Sequence, residues 1–306
     1  MRALSVVATG AVLVLLASLV IAAQAPVSFK TIAALTESPL PTFESRRPVD
    51  IAAIVGAIPD RGAEGTADMV YAAHPAERYQ RSVVEGYGNC SNIVKGLSWG
   101  LLRDGHDFEV VYLFPLETFL RGQGHTILRA NLALPEGPRI ALVDVAAAAI
   151  PRDAGRALDV RDFSGSVPAI FLDPLRPESE DWTFFYTPQF LGDAVIGRSS
   201  SAETARWFRV LDAIYLDFGL PEKLDKIIYV GIGTVLGELP RIHVENIAAM
   251  SSRHPVQFAV MTAALWGMRI APLVLLACAL LWMVGRVRRR RRSGKVECPS
   301  LAHVGS

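Results

Sequence analysis

The fold of this chain is decided by residues 86–105, GYGNCSNIVKGLSWGLLRDG. A glycine-rich turn comes first, and residues suited to one buried face then recur at intervals of four, three and four: Cys90, Val94, Leu97 and Leu101. This spacing predicts a helix over 90–103, ended by Asp104-Gly105. Cys90 begins that helix, where the positive end of the helix dipole favours a reactive thiolate.

A histidine and an aspartate follow Cys90 in an order that suits thiol chemistry. His125 begins a strand-like segment over 125–134, and Asp144 lies near the end of another over 139–145. The turn Pro-Glu-Gly-Pro separates the two segments, and the mean position of His125 and Asp144 falls at its leading edge. We therefore expect the two side chains to be cross-strand neighbours. A thiol nucleophile needs a base to hold its proton and a carboxylate to orient that base.

For each of these residues a purely structural role is the alternative to a catalytic one. Cys90 is alternatively a small buried hydrophobe, His125 a structural strand histidine, and Asp144 a turn or salt-bridge carboxylate. Tyr87 and Asn89 are candidate donors to an oxyanion hole that also uses the Cys90 backbone N–H. Their alternative role is to shape the glycine turn.

Both ends of the chain carry apolar segments. Residues 1–25 combine a positive start, an apolar run and a small-x-small ending, which is typical of a signal peptide, and the run is also long enough to remain as an N-terminal membrane anchor. A second apolar stretch, 258–285, predicts a transmembrane helix. The basic tail at 286–306 is expected in the cytoplasm by the positive-inside bias, which places residues 26–257 outside.

The charge and cysteine content exclude several kinds of site. The net charge is +1, and much of the positive charge lies in the tail directly after the apolar stretch, which favours a membrane role over nucleic-acid binding. Cys90 is the only cysteine between the apolar segments, so no intramolecular disulfide is expected there. We find no metal-ligand spacing and no phosphate-binding glycine loop, and we expect no cofactor.

The remaining sequence divides into three regions. Residues 26–66 are rich in Pro, Ser and Thr and are expected to form an extended lead-in. Residues 67–160 hold the predicted nucleophile helix and the strands, including one over 108–114, and form the expected catalytic core. Residues 161–257 contain a strong helical pattern over 202–218, and we expect an α-rich extension there.

The order of these motifs resembles the transglutaminase-like superfamily, which includes transglutaminases, bacterial cysteine peptidases and other amide-processing enzymes. The resemblance rests on Gly88-Asn89-Cys90 opening a helix, then Gly124-His125 and Val143-Asp144 on successive strands, and covers about residues 80–150. It implies an α+β fold with a papain/transglutaminase-like core, in which the nucleophile helix packs on an antiparallel sheet. It also implies that Cys90 is the nucleophile, His125 the base and then the acid, and Asp144 the orienting group.

One departure from the family concerns the flanks of these residues. Members often carry aromatic residues there, whereas Thr126 and Val145 follow His125 and Asp144 in this chain. Substrate type is therefore not indicated by these positions.

Together these features predict an exported cysteine enzyme of a bacterial cell envelope, anchored in the cytoplasmic (inner) membrane with its catalytic domain in the periplasm. It would cleave or transfer an acyl group at an amide or ester through a thioester on Cys90. The expected substrates are a peptide, a protein or an envelope polymer, with other envelope proteins as further partners and no nucleic acid. The alternative is a non-catalytic binding or assembly protein of the envelope built on the same fold.

Overall fold

The computed structural model describes residues 2–40, 43, 47–59, 70, 72, 74–121, 124–163, 169–176, 183–216 and 220–293. The chain forms two compact units, one made of residues 1–24 and 260–306 and the other of residues 25–259. The helices are α1 Arg2–Gln24, α2 Pro26–Ala34, α3 Ile51–Gly56, α4 Pro75–Tyr79, α5 Cys90–Arg103, α6 Pro188–Gly192, α7 Ser201–Ile214, α8 Glu222–Leu236, α9 Ile247–Arg253 and α10 Pro255–Ser293.

The first unit contains two helices that are long and apolar enough to cross a membrane. The apolar spans are Ala3–Gln24 within α1 and Pro255–Arg288 within α10. The two helices pack against each other through small residues: a Cβ added at Gly267 of α10 would meet the side chains of Ser18 and Val14 in α1. Small residues at such a contact let the helix backbones approach closely.

The second unit is a mixed α/β structure built on a six-stranded sheet. In spatial order the strands of this sheet are β1 Leu35–Thr36, β9 Ile242–His243, β8 Ala194–Ser200, β2 Phe108–Pro115, β3 His125–Leu134 and β4 Gly137–Val143. A second sheet of three short strands contains β5 Ala149–Asp153, β6 Arg156–Ala157 and β7 Phe171–Pro174.

The predicted helix over 90–103 and the strands predicted over 108–114 and 125–134 are confirmed, whereas the strand expected over 139–145 covers Gly137–Val143 and ends before Asp144. Helix α5 covers the predicted range, and its Cys90, Val94, Leu97 and Leu101 are all buried. Together they form one hydrophobic core with residues of β2 and β3. This core fixes the position of Cys90 relative to the start of β3.

The opposite face of the central strands has a separate core. Alternate residues of β2 and β3, such as Val111 and Ile127, pack there with Phe163, Tyr186 and Phe190. Residues along a strand point to opposite faces in turn, so His125 lies on the same face as Ile127. The segment 183–191 therefore covers the face of the sheet on which His125 lies.

The sheet differs from the expected antiparallel one. The pairs β2–β3, β3–β4, β2–β8 and β8–β9 are antiparallel, whereas β1 pairs with β9 in parallel, so the sheet is mixed. The region expected to be an α-rich extension contains α7 and α8, but it also supplies β8, which pairs with β2 from Glu109 to Pro115.

The expected extended lead-in is also partly helical. Residues 26–34 form α2 and residues 51–56 form α3, the latter capped by the Asp50 side chain on the backbone N–H of Ala53. Pro26 stands in the first turn of α2, where a missing N–H removes no helical hydrogen bond. Phe29 and Ile32 are buried, and this burial stabilises α2 in place of a strong local helical pattern.

Candidate active site

The turn before α5 places Cys90 at the first position of the helix. Gly86 and Gly88 have φ values of 77° and 96°, in the region that glycine adopts without strain. A Cβ at Gly88 would lie 2.7 Å from Cβ of Asn92, so the close approach also requires glycine. At this helical position the Cys90 backbone N–H has no carbonyl partner within the helix.

Asn89 and Asn92 hold this helix end together. The Asn89 side chain accepts a hydrogen bond from the Asn92 backbone N–H at 3.1 Å, and the Asn92 side chain accepts one from the Asn89 backbone N–H at 3.3 Å. The buried Asn92 amide also donates to the Val70 carbonyl at 2.7 Å. This reciprocal capping orients the first turn of α5 and with it the Cys90 side chain.

His125 and Asp144 are brought together on the other side of the site. Nε2 of His125 lies 2.5 Å from Oδ2 of Asp144, and both side chains are fully buried. The observed pairing differs from the direct cross-strand pair expected from the turn. Leu128 pairs with Val143, and continuing this register places Ile127 opposite Asp144. His125 and Asp144 are therefore diagonal neighbours on the same face, which is within reach for a long side chain.

The Asp144 carboxylate is oriented by its own backbone turn. Oδ1 accepts hydrogen bonds from the backbone N–H groups of Ala146 at 3.1 Å and Ala147 at 3.0 Å. The main chain of Asp144 forms a two-way bridge with Ala149, at 2.9 and 3.0 Å. Oδ1 is thus held by the turn, while Oδ2 points to His125.

Two aromatic residues from a distant segment complete the surroundings of the pair. The Phe185 ring stacks on the His125 ring, with 4.3 Å between centroids and 10° between planes. The Tyr186 hydroxyl donates a hydrogen bond to Asp144 Oδ2 at 2.8 Å. Both belong to the 3-10 turn Thr183–Tyr186.

Cys90 and His125 interact through their side chains. A hydrogen bond and the charge of Cys90 both act on the His125 ring and raise its pKa. The structure thus brings the three predicted catalytic residues, Cys90, His125 and Asp144, into one connected group.

The electrostatics of the pair favour the charged forms. Burial alone lowers the pKa of His125, but the charge and hydrogen bonds of Asp144, assisted by Cys90, outweigh it and raise the pKa to about 10. Burial likewise raises the pKa of Asp144, but His125, the Ala147 N–H and Tyr186 together hold that pKa below its usual value. Burial and the adjacent Asp144 raise the pKa of Tyr186 well above its ordinary range, so the phenol stays a donor. At neutral pH the pair is an imidazolium and a carboxylate.

All three candidate residues are buried, and Cys90 is the most exposed of them. Cys90 keeps 8% of its surface exposed, whereas His125 keeps 1% and Asp144 none. Residues 122–123, directly before β3, lie outside the described part of the chain.

The two oxyanion candidates are already engaged by the turn. The Tyr87 backbone N–H donates to the Arg81 carbonyl at 2.9 Å, and the Asn89 backbone N–H is used in the cap described above. The turn-shaping role considered for both residues is observed.

Other titratable residues lie apart from this group. The three other histidines with described partners are His74, which bonds to Asp212, His243, which bonds to Glu203, and His254, which bonds to the Leu116 carbonyl. Over the described ranges, no group of three or more His, Cys, Asp or Glu side chains is arranged to hold a metal ion. Cys278, the other described free cysteine, belongs to α10.

Sequence reasoning missed Asn92, Phe185 and Tyr186. Asn92 had a local signal, since Asn89 and Asn92 have the three-residue spacing of a capping box. The aromatic run Phe184-Phe185-Tyr186 has no local feature that links it to His125 or Asp144. Comparisons with protein-family models, curated proteins and solved structures found no match to the chain.

Proposed function

We propose that this protein is a membrane-anchored cysteine enzyme that cleaves or transfers an acyl group at an amide or ester bond. The observation that carries the proposal is the position of His125 between two partners, with Asp144 on Nε2 and Cys90 acting on the same ring. A thiol, an imidazole and a carboxylate in this order are the parts of a thiol-based acyl-transfer site.

The chemistry follows from the charges of the group. The His125 imidazolium favours the thiolate of Cys90, which attacks the carbonyl carbon of the substrate. The Cys90 backbone N–H stabilises the negative oxygen that forms. The tetrahedral adduct then collapses to a thioester, and His125 gives its proton to the departing amine or alcohol. Water or an amine next attacks the thioester while His125 takes up its proton, and the Cys90 thiolate leaves.

The arrangement also supports a papain/transglutaminase-like core. Helix α5 packs on β2 and β3, β3 begins with His125, and Asp144 directly follows β4. Order, spacing and element type agree with the resemblance drawn from the sequence. The support comes from this chain alone, because the comparisons found no related protein.

The two apolar helices support a location in the cytoplasmic membrane. With the basic residues from 286 onward inside, most of them in the last turns of α10, the unit of residues 25–259 lies outside, in the periplasm of a bacterial envelope. The substrate is then a peptide, a protein side chain or an envelope polymer.

The direct test is formation of an acyl-enzyme on Cys90. The full chain, purified in detergent, is mixed with an activated ester such as p-nitrophenyl acetate, and the mass adduct is located by peptide mapping. We expect the adduct on Cys90, its loss in Cys90→Ala, and its retention in the matched control Cys278→Ala. An adduct that is unchanged in His125→Ala, measured on folded protein, would contradict the proposal.

The low exposure of Cys90, His125 and Asp144 favours a second candidate function, non-catalytic binding or assembly in the envelope. With Cys90 at 8% exposure, a substrate carbonyl reaches the thiol only if neighbouring residues move. Absence of an adduct from a folded protein over several ester sizes would make this the leading function.

A further inference from the structure

Helix α8, Glu222–Leu236, presents two faces of different character. One face is buried and consists of Asp225, Tyr229 and Gly233, spaced four residues apart. The other face stays partly or fully exposed, and its apolar residues recur in steps of three and four: Leu224, Ile227, Ile228, Ile232 and Val235. We call these five residues the apolar stripe. No charged residue occurs at any of the ten positions 227–236.

Exposed apolar side chains of the second unit are concentrated at this helix. Among the described residues of the unit, ten large apolar side chains are exposed, and six of them lie between positions 216 and 236. Single exposed apolar residues are ordinary on a protein surface, whereas a larger apolar patch marks a contact with a membrane or with another protein. The apolar stripe, with Leu216 and Leu220 in the segment before α8, is therefore a candidate contact surface.

The neighbouring helix α7 shows that an apolar outer face is not general in this unit. Trp207 of α7 and Tyr229 of α8 belong to one hydrophobic core, and a Cβ added at Gly233 would meet the Trp207 ring. The two helices therefore pack directly on each other. The exposed residues of α7 nevertheless include three charged side chains, and only alanines are apolar: Ala202, Arg206, Arg209, Asp212 and Ala213. The apolar stripe is thus a feature of α8 that its packing partner lacks.

Helix α2 connects α8 with both ends of the second unit that lead to the apolar spans. It packs against α8 and against the 3-10 turn Phe119–Arg121. The Phe119 ring is in edge contact with the ring of His254, the residue directly before α10, with 5.8 Å between the centroids. At the other end of the unit, only Ala25 separates α2 from the apolar helix α1. Both points at which the second unit joins the apolar spans therefore lie beside α2, the helix on which α8 packs.

The length of the chain limits how far α8 lies from the end of α1. Ala33 of α2 packs on the hydrophobic core that contains Tyr229 of α8. From Gln24, the last residue of α1, to Ala33 the chain reaches at most about 18 Å, because seven of the nine steps between them are helical. This limit keeps α8 close to the headgroup layer of a membrane that holds α1. If residues 1–25 are removed as a signal peptide, the attachment through His254 and α10 remains.

We propose that the apolar stripe lies in the outer interface of the membrane, with α8 parallel to the bilayer plane. The ten uncharged residues 227–236 extend about 15 Å as a helix, half the hydrocarbon thickness of about 30 Å, so α8 is too short to cross a bilayer. A helix with one apolar face instead lies in the interface, with that face among the upper parts of the acyl chains. The occupant of the stripe is thus lipid. This docking rests on the membrane location in the proposed function, and it is independent of the thiol chemistry.

The test measures the lipid contact of single spin labels by electron paramagnetic resonance. The full chain, with its three cysteines replaced by alanine, is reconstituted in phosphatidylcholine vesicles, and a label is attached at Ile227→Cys or at Leu224→Cys. Collision of the label with oxygen, which concentrates in lipid, is compared with collision with a water-soluble nickel chelate. We expect the oxygen-to-nickel ratio to be at least about fivefold higher at both sites than at Arg209→Cys, the exposed control on α7, because an interfacial apolar face is buried by about 5–10 Å.

A further label at Leu276→Cys, exposed within α10, reports whether the apolar span itself lies in lipid. A lipid signal at position 276 with an aqueous signal at position 227 would overturn the docking and leave the membrane location intact, whereas aqueous signals at both would reject docking and location together. Low collision with both reagents at position 227, with spectral broadening between labels on separate copies, would assign the stripe to a second copy and contradict the proposal. Every labelled variant lacks Cys90, so the result does not depend on the acyl-enzyme test, and thermal melting shows that each variant is folded.

Discussion

The hydroxyl of Tyr186 donates a hydrogen bond to Oδ2 of Asp144 over 2.8 Å, although 42 residues separate the two in the chain. The same oxygen lies 2.5 Å from Nε2 of His125, so one carboxylate oxygen forms hydrogen bonds with both side chains. Tyr186 thus acts on Asp144 directly and on His125 through it. We interpret Tyr186 as a positioning residue for the candidate active site.

Tyr186→Phe tests this role. The change removes a hydrogen bond to a charged group, and we expect a loss of about 1.5–3 kcal/mol in the free energy of unfolding. We also expect slower labelling of Cys90 by iodoacetamide, because the His125–Asp144 pair loses part of its orientation. Tyr229→Phe is the matched control, since the Tyr229 hydroxyl bonds only to the backbone of Leu216 in its described contacts. Equal labelling in both variants would assign Tyr186 a purely structural role.

The three candidate residues should rank clearly in Cys90 labelling. We expect wild type to react fastest, Asp144→Asn more slowly and His125→Ala slowest, because the imidazolium that favours the thiolate is first misoriented and then removed. Breaking a buried pair by removing one partner typically costs about 3–5 kcal/mol, so rates must be compared at equal folded fractions. Identical rates in all three proteins would exclude the proposed triad.

The pH dependence of stability should reflect the buried pair. His125 has a pKa raised from 6.5 to about 10, so its contribution is complete below pH 6.5 and is lost as pH rises towards 10. Asp144 has a pKa lowered from 3.8, so its contribution is present above pH 3.8 and is lost as pH falls below that. When unfolding by denaturant is measured between pH 4 and 10, the free energy of unfolding should therefore fall above pH 6.5. The contribution of His125 to this fall is at most about 1.4 kcal/mol per pH unit. A profile that is unchanged in Asp144→Asn would contradict the assignment.

The packing of α1 against α10 can be tested with two glycines of α10. Gly267→Leu should overpack the contact with Ser18 and Val14 and destabilise the protein by about 1–3 kcal/mol. Gly285→Leu is the control, because a Cβ there meets no atom within 4 Å. Thermal melting of the full chain in detergent measures the difference. Equal melting temperatures would show that α1 does not pack there, as expected if residues 1–25 are removed as a signal peptide.

The turn between β5 and β6 allows a test of how much an unfavourable backbone conformation costs in stability. Ala154 joins β5 to β6 with a φ of 46°, followed by Gly155 at 85°, and left-handed backbone is unfavourable for alanine. Asn adopts this conformation more readily, so Ala154→Asn should stabilise the fold by about 0.5–1 kcal/mol. Ala202→Asn, at an exposed position in the helix α7, should not stabilise it. Urea unfolding compares the two.

The sequence predicted the elements that depend on neighbours along the chain. The range of α5 follows from the glycine-rich turn before Cys90, the apolar spacing and the terminal Asp104-Gly105, all within or next to one helix. The strand that begins at His125 follows from composition and from the turn after it, and the next strand was predicted two residues too late, over 139–145 instead of Gly137–Val143. The apolar segments at both ends are likewise local features. These predictions succeeded because each depends on interactions a few residues apart.

The arrangement of the site was decided only by tertiary packing. The diagonal offset between His125 and Asp144, the stacking of Phe185 and the hydrogen bond from Tyr186 depend on how distant segments meet across a sheet face. The pairing of β8 with β2 arises in the same way. No periodicity or motif records such contacts, because they are selected by burial and charge in the folded chain. The sequence alone therefore identified which three residues could perform the chemistry, and the tertiary structure determined how they meet and what holds them.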